Sequence, residues 1–436
     1  MQKIALISEH ASPLAITGGI DAGGQNIYVA HVAQQLAAMG HQVDVFTRGD
    51  SPALAPVIHM ARRLRVIHVP AGPAHYVPKE QLLPYMAEFG DYMIEFFRNE
   101  PRSYDLMHAN FFMSGAAALR IKAALAVPLV TTFHALGRVR RRYQGTADGF
   151  PDQRFEIEDA LVDESDRIIA ECPQDKADLI ALYDADPACI ETVPCGFDMN
   201  EFAPVPRAMA RSKLGWQPDE FVVLQLGRLV PRKGIDTVIR ALGLLGVRGG
   251  QPARLYVVGG NSNTPDESTT PEIARLRQIA QQVGVAERVV FVGRRRREIL
   301  RHFYSAANVF VTTPWYEPFG ITPVEAMACG TPVIGAAVGG IRSTVQDGKT
   351  GFLVPAHDPV AVADRLRALQ ESPEMAADMG RAGRRRAHLH YTWNGVAKQL
   401  AGIYQHLGRH SVYVDSADAA FAMAPRSTRG SGVAAA

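Results

Sequence analysis

The chain has 436 residues, 47% hydrophobic and 21% charged, with a net charge of +2. That length exceeds a single core and implies two domains of roughly 200 residues, while the balanced charge excludes a general pull toward nucleic acid or anionic membrane. Cys172, Cys189, Cys195 and Cys329 are scattered without C-x-x-C spacing, which excludes a zinc-ribbon or disulfide framework and fits a reducing cytoplasm.

Met1-Gln2-Lys3 leads directly into a strand expected at 4–7, with no secretory leader pattern. The stretch GGIDAGGQNIYV at 18–29 follows, and then a helix over 27–39 whose apolar face holds Ile27, Val29, Ala30, Val32, Ala33 and Leu36. Gly40 ends that helix, and 43–47 is the next strand. A strand, a glycine loop and a helix in this order offer backbone amides to an anion, or make a tight turn with glycines for clearance. The loop is not G-x-G-x-x-G, and Arg48 stands where a ribose-binding acid would close the next strand, so a dinucleotide site is disfavoured.

Further strands are expected at 65–69, 106–109, 129–132, 167–170 and 190–193, with helices between most of them. That rhythm describes a parallel sheet covered on both faces. His134, in VTTFHALGRVRRRY, comes at the end of a strand and faces the carboxyl edge of the sheet, as a structural residue or a ligand contact. The basic runs at Arg138 and Arg140 to Arg142, Arg294 to Arg297 and Arg384 to Arg386 have no interleaved aromatics. They read as solvated faces, not a nucleic-acid surface.

Pro204 and Pro206 mark a linker, after which the rhythm restarts. Strands are expected at 221–227, 254–258, 289–292, 309–312 and 332–335, with a helix at 234–245. The expected architecture is α/β, with two doubly wound, Rossmann-like domains hinged near residue 205 and facing one cleft. The divisions are a first domain at 1–204, a second at 205–390, a last helix at 391–410 and a small, polar, disordered tail at 411–436. No apolar run reaches the roughly 18 residues of a membrane span.

In LQLGRLVPRKGID, Arg228 and Lys233 follow a strand end, where two cations either clamp a diphosphate or form a solvated basic turn. In WYEPFGITPVEAMACGTPVIGAAVGG, a helix is expected over 320–329, with Glu317 just before it and Glu325 inside it. The helix start offers free N–H groups to a phosphate. Two acids flanking an anion site suit a ligand with hydroxyl-bearing rings on both sides of its phosphate, which is a nucleotide sugar. The plainer reading is one capping acid and one solvated acid.

The segments GGQNIYV, TFHALG, GRLVPRKG and EPFGITPVEAMACGTPVI, in this order and spacing, resemble the retaining glycosyltransferases of the GT-B fold. The group includes sucrose-phosphate synthase, sucrose synthase and the inositol-phosphate glycosyltransferase of mycothiol synthesis. The resemblance implies that Glu317 binds donor-sugar hydroxyls, Glu325 the ribose, and Arg228 and Lys233 the diphosphate. It places amides of Phe319, Gly320 and Ile321 on the donor, Gly23 and Gly24 against the diphosphate, and His134 at the donor sugar. It also implies a last helix that crosses back to the first domain, and no cofactor or metal. The implied reaction moves a hexose, by default glucose from UDP-glucose, to a sugar, polyol or glycan hydroxyl with anomeric retention by a same-face route.

On the acceptor side, the resemblance assigns Asn26, Lys79, Phe111 and Arg154. Phe111 replaces a tyrosine and Ala135 a serine or threonine of the relatives that bind phosphorylated acceptors, so both hydroxyls are missing. The alternatives are a non-catalytic nucleotide-sugar-binding protein and a sugar-nucleotide epimerase on the same fold.

Overall fold

The computed structural model describes residues 1–15, 23–245 and 253–410. Loop residues 18–22 and the tail 411–436, both read above from sequence, lie outside these described residues.

The first sheet has eight strands: β1 (Lys3–Ile7), β2 (Gln42–Arg48), β3 (Val57–Ala61), β4 (Leu64–Val69), β5 (Leu106–Asn110), β6 (Leu129–Thr132), β7 (Arg167–Ala170) and β8 (Ile190–Thr192). Their order is β3-β4-β2-β1-β5-β6-β7-β8. Every pairing is parallel except β3 with β4. The central strands are buried along their whole length, as KIALI in β1 shows, because helices cover both faces. β3 departs from the expected parallel pattern. Its residues VIHMA lie half-exposed at the sheet edge, where antiparallel pairing needs only a short turn into β4.

The second sheet contains β9 (Val222–Leu226), β10 (Arg254–Val258), β11 (Val289–Gly293), β12 (Val309–Thr312), β13 (Val333–Ala336) and β14 (Gly351–Val354). It is parallel, with the order β11-β10-β9-β12-β13-β14. That is the doubly wound order in which the winding reverses between the first and fourth strands, here β9 and β12. The corresponding reversal in the first sheet falls between β1 and β5. Both switch points open toward the same space.

The helix Trp393–His410 follows the second sheet but docks on the first. Gln2 Nε2 donates to Tyr404 O at 2.9 Å, and His108 Nδ1 lies 2.5 Å from Tyr404 Oη. Trp393 stacks on His31 of helix Gly24–Ala38 at 5.2 Å. Phe197 N–H donates to Tyr391 O at 2.8 Å, where the two crossings between domains meet. One apolar cluster therefore runs from Val32 and Tyr28 through Trp393 and Phe197 to Leu224 and Phe310.

Candidate active site

Loops from both switch points line one cleft of about 490 Å³ between the domains. On the second domain, the helix Ile321–Ala328 starts at Gly320, whose φ of +90° favours glycine. The loop before it is pinned from behind. Gly340 N–H donates to Glu317 O at 3.1 Å and Pro318 O at 3.0 Å. Gly339 has φ +45°, and a Cβ there would stand 1.8 Å from Glu317 O. Phe319, Gly320 and Ile321 thereby border the cleft with the unpaired first amides of the helix. From the first domain, Gly23 and Gly24 border it too, and a Cβ on Gly24 would touch Ile321 Cδ1 at 3.5 Å.

Arg228 and Lys233 line the same wall, after β9. Lys233 Nζ bonds Glu317 Oε2, and Arg232 Nη1 lies 3.9 Å from the same oxygen. Burial pulls the Lys233 ammonium down to about 8, against the Glu317 charge that supports it. Burial alone would raise Glu317, but Lys233, Arg232 and Arg228 hold its carboxyl below the usual range. Glu325 is different: burial outweighs Arg297 and raises it. Its Oε2 accepts from Tyr304 Oη at 2.9 Å. Its Oε1 sits 2.9 Å from Arg297 Nη1 without the alignment of a hydrogen bond, and can accept one from a ligand hydroxyl.

His134 follows β6 with φ +56°, a strained value for a side-chain-bearing residue. Its Nδ1 lies 2.8 Å from Glu171 Oε1 and its Nε2 3.0 Å from Asn110 Oδ1. Asn110 Nδ2 donates to Ile7 O and His108 O, both at 3.2 Å, which fixes its amide orientation. Burial opposes ionisation of Glu171, yet the His134 charge and hydrogen bond hold its pKa low. Glu171 and Asn110 were not singled out from sequence. Both stand at strand ends, the same position that drew attention to His134.

At the other end of the cleft lie Lys79, Phe111 and Asn26, with His10, Arg140 and Phe150. Asn26 borders the cleft, but its amide is engaged by its own loop. Gly23 N–H donates to Oδ1 at 2.9 Å, and Nδ2 donates to Ser12 O at 3.0 Å. Arg154 corrects the expectation of an acceptor contact. It is 1% exposed, absent from the cleft lining and paired with Glu158 at 2.7 Å. The rings of Phe111, Phe112 and Phe150 enclose its guanidinium.

Among the described residues, His31, Asp198 and Glu201 bring three metal-ligating atoms within 4.8 Å of one another. Asp198 and Glu201 stand just before the linker and His31 on the helix Gly24–Ala38; none of the three lines the cleft, and Glu201 is bound to Arg297 at 2.5 Å. Among the described residues no helix is long and apolar enough to cross a membrane.

Residues 207–386 match the family described as Glycosyl transferases group 1, and residues 22–201 match Glycosyltransferase Family 4. The chain is 36% identical to D-inositol 3-phosphate glycosyltransferase 2 of Catenulispora acidiphila, over 92% of this chain and 94% of that protein. It is 37% identical to the D-inositol 3-phosphate glycosyltransferase of Acidothermus cellulolyticus, over 93% of this chain and 90% of that one. The solved sucrose-phosphate synthase from Thermosynechococcus elongatus superposes with a TM-score of 0.86 at 36% identity, covering 94% of this chain and 100% of the other. Anabaena HepE, solved in complex with UDP-glucose, shares the fold at 20% identity and a TM-score of 0.70, covering 93% of this chain and 100% of that one.

Proposed function

The chain belongs to the glycosyltransferases of the GT-B fold, and on that premise we propose that it transfers a hexosyl group with retention from a nucleotide diphosphate sugar to a hydroxyl acceptor. The donor sugar is taken as glucose and the nucleotide as UDP. One observation carries the reading: two cations, two glutamates and one free helix N-terminus converge on the same wall of an interdomain cleft. The helix amides and the Arg228 and Lys233 side chains suit the diphosphate. Glu325 Oε1 suits the ribose and Glu317 the sugar hydroxyls, while His134, whose ring nitrogens are held by Glu171 and Asn110, borders the sugar site. Gly23 and Gly24 bring the first domain's backbone against the diphosphate.

The chemistry follows from where charge develops. As the bond from the anomeric carbon to the phosphate oxygen lengthens, negative charge builds on the diphosphate, and Arg228 and Lys233 stabilise it without rearranging. The acceptor oxygen attacks from the face the phosphate leaves, and its proton passes to the departing phosphate oxygen. Positioning and leaving-group stabilisation supply the catalysis, and the two cations do the neutralising a metal would do.

Incubation with UDP-glucose and mixed hydroxyl acceptors releases UDP and yields a product with the donor's anomeric configuration, read by NMR. Binding without release, or an inverted product, overturns the reading.

A further inference from the structure

The basic run at 294–297 has no part in the reaction above, and the fold divides it. Arg297 turns inward to Glu201 and Glu325. Arg296 stands exposed and borders a second pocket, of about 610 Å³, on the outer side of the second domain. Lys213 reaches that pocket from helix Arg207–Leu214, and Arg301 and His302 reach it from helix Arg297–Ala306. Among the described residues, Lys213, Arg296 and Arg301 make no ion pair, and Glu298 is the one acid in the lining. Cations gathered in a concave wall without carboxylates focus a positive potential. His302 registers it: burial and the charges of Lys213 and Arg301 lower its pKa.

Two observations separate this pocket from a solvated basic face. His302 is 8% exposed, and its Nδ1 is buried without a hydrogen-bond partner, as is Arg301 Nε. Such nitrogens are costly to leave unpaired. Arg301 Nε–H is a donor, and so is His302 Nδ1 when it carries the ring proton, so an oxyanion offers acceptors to both. In addition, helix Arg297–Ala306 opens here with Arg296 as its N-cap and no side chain capping it, and its first amides add to the same field.

The wall of this pocket is also a wall of the donor cleft. Arg294 and Arg295 line both spaces, while Asn261 borders the cleft and Asn263 the pocket. Gly293, at φ +85°, lies so near Asn263 that a Cβ would stand 2.4 Å from its carbonyl oxygen. Arg294 N–H donates to Ser262 O at 2.7 Å, and Arg295 Nη1 donates to Asn263 O at 2.6 Å. Two short backbone segments therefore separate the spaces.

We propose that the outer pocket binds a small phosphate-bearing molecule, held by Lys213, Arg296, Arg301 and His302, and that its occupancy weakens nucleotide binding in the cleft through the shared arginines. An anion on the outer side takes part of the charge that Arg294 and Arg295 present to the donor. The site stands apart from the transferase reading, and its coupling to the cleft rests on that reading.

Calorimetric titration with inorganic phosphate, pyrophosphate and glycerol 3-phosphate at fixed ionic strength tests the site. Arg228→Gln/Lys233→Gln protein, whose cleft has lost two cations, still binds at least one probe, with a Kd of about 1 mM or tighter. Adding Lys213→Gln and Arg301→Gln weakens that binding by about tenfold or more. The added pair removes repulsion between neighbouring cations, so the melting temperature without phosphate does not fall. With the cleft intact, phosphate at about ten times its Kd raises the Kd for UDP about fivefold. Lys213→Gln/Arg301→Gln shrinks that rise, because only direct competition in the cleft remains. No probe bound by the cleft variant, equal binding after the outer pair is removed, or attachment to phosphatidylglycerol vesicles with no soluble phosphate bound overturns the site. An equal rise in the Kd for UDP with and without the outer pair overturns the coupling. If UDP does not bind at all, the transferase reading and the coupling fall together, while the site stands or falls on the phosphate titrations.

Discussion

Lys233 carries the clearest test at the scale of single residues. Its ammonium is held near 8 in the free protein because burial outweighs the support of Glu317. On the proposed reading the charged form is the useful one, since it would neutralise the donor diphosphate. It predominates below pH 8 and is lost as pH rises through that value, so kcat/KM for the donor falls above about pH 8. Bound diphosphate supports the ammonium, so kcat holds to higher pH than kcat/KM. Lys233→Ala lowers turnover on the order of 10²-fold or more, as removal of an electrostatic stabiliser does. Steady-state kinetics across pH 6 to 10 check both points, and a Lys233→Ala rate equal to wild type removes Lys233 from the diphosphate. Arg228, Lys233, Glu317 and Glu325 were legible as candidates because each sits in a short motif beside a strand end or helix start. Glu171 and Arg297 were not, because they reach the cleft through pairings with His134 and Glu325 that come from distant segments. Arg154 was misplaced for a related reason: the adjacent rings of Phe111 and Phe112, far upstream in sequence, join nearby Phe150 around it only in the fold.

At the scale of elements, the loop 317–320 and its helix act as one unit held by two glycines. Gly339→Ala would force a side chain into left-handed backbone, at about 1–2 kcal/mol, and drive its Cβ against Glu317 O. The loop must move to relieve that contact, and Glu317 and the helix amides move with it. The expected result is a lower urea midpoint together with a donor KM raised by roughly tenfold, a cost of about 1.4 kcal/mol. A variant with wild-type donor KM would show that the glycine pair does not seat the loop. Strands such as Lys3–Ile7 and Leu129–Thr132 could be read directly, because a strand buried on both faces is a continuous apolar run. Val57–Ala61 and Gly351–Val354 were missed. The first is half-exposed at an edge, and the second is four residues opening on a glycine, so neither leaves that signature.

For the whole molecule, the last helix is the tie between domains, and two histidines that resist protonation lie beneath it. His108 is fully buried between Tyr404 Oη and Thr132 Oγ1 at 2.7 Å, and burial brings it down to about 3. His31 lies under Trp393, and burial, aided by the charge of Arg297, brings it down to about 4. Both folded values lie below the unfolded value of 6.5. Their contribution to stability is therefore complete above pH 6.5 and is lost as pH falls through the window toward 4 and 3. Each can contribute a slope of up to about 1.4 kcal/mol per pH unit across its window. Urea unfolding should show stability declining from pH 6.5 downward, and His31→Asn should make the decline between 6.5 and 4 shallower. Tyr404→Phe tests the same joint at neutral pH. It leaves a buried ring nitrogen without its partner, at a cost of about 1–3 kcal/mol. If Tyr404→Phe unfolds like wild type and stability is flat between pH 6.5 and 4, the helix is not held at this joint. Because the helix follows the second sheet and docks on the first, loosening it in acid frees the two walls of the cleft from each other. Donor affinity should then fall over the same pH window as stability.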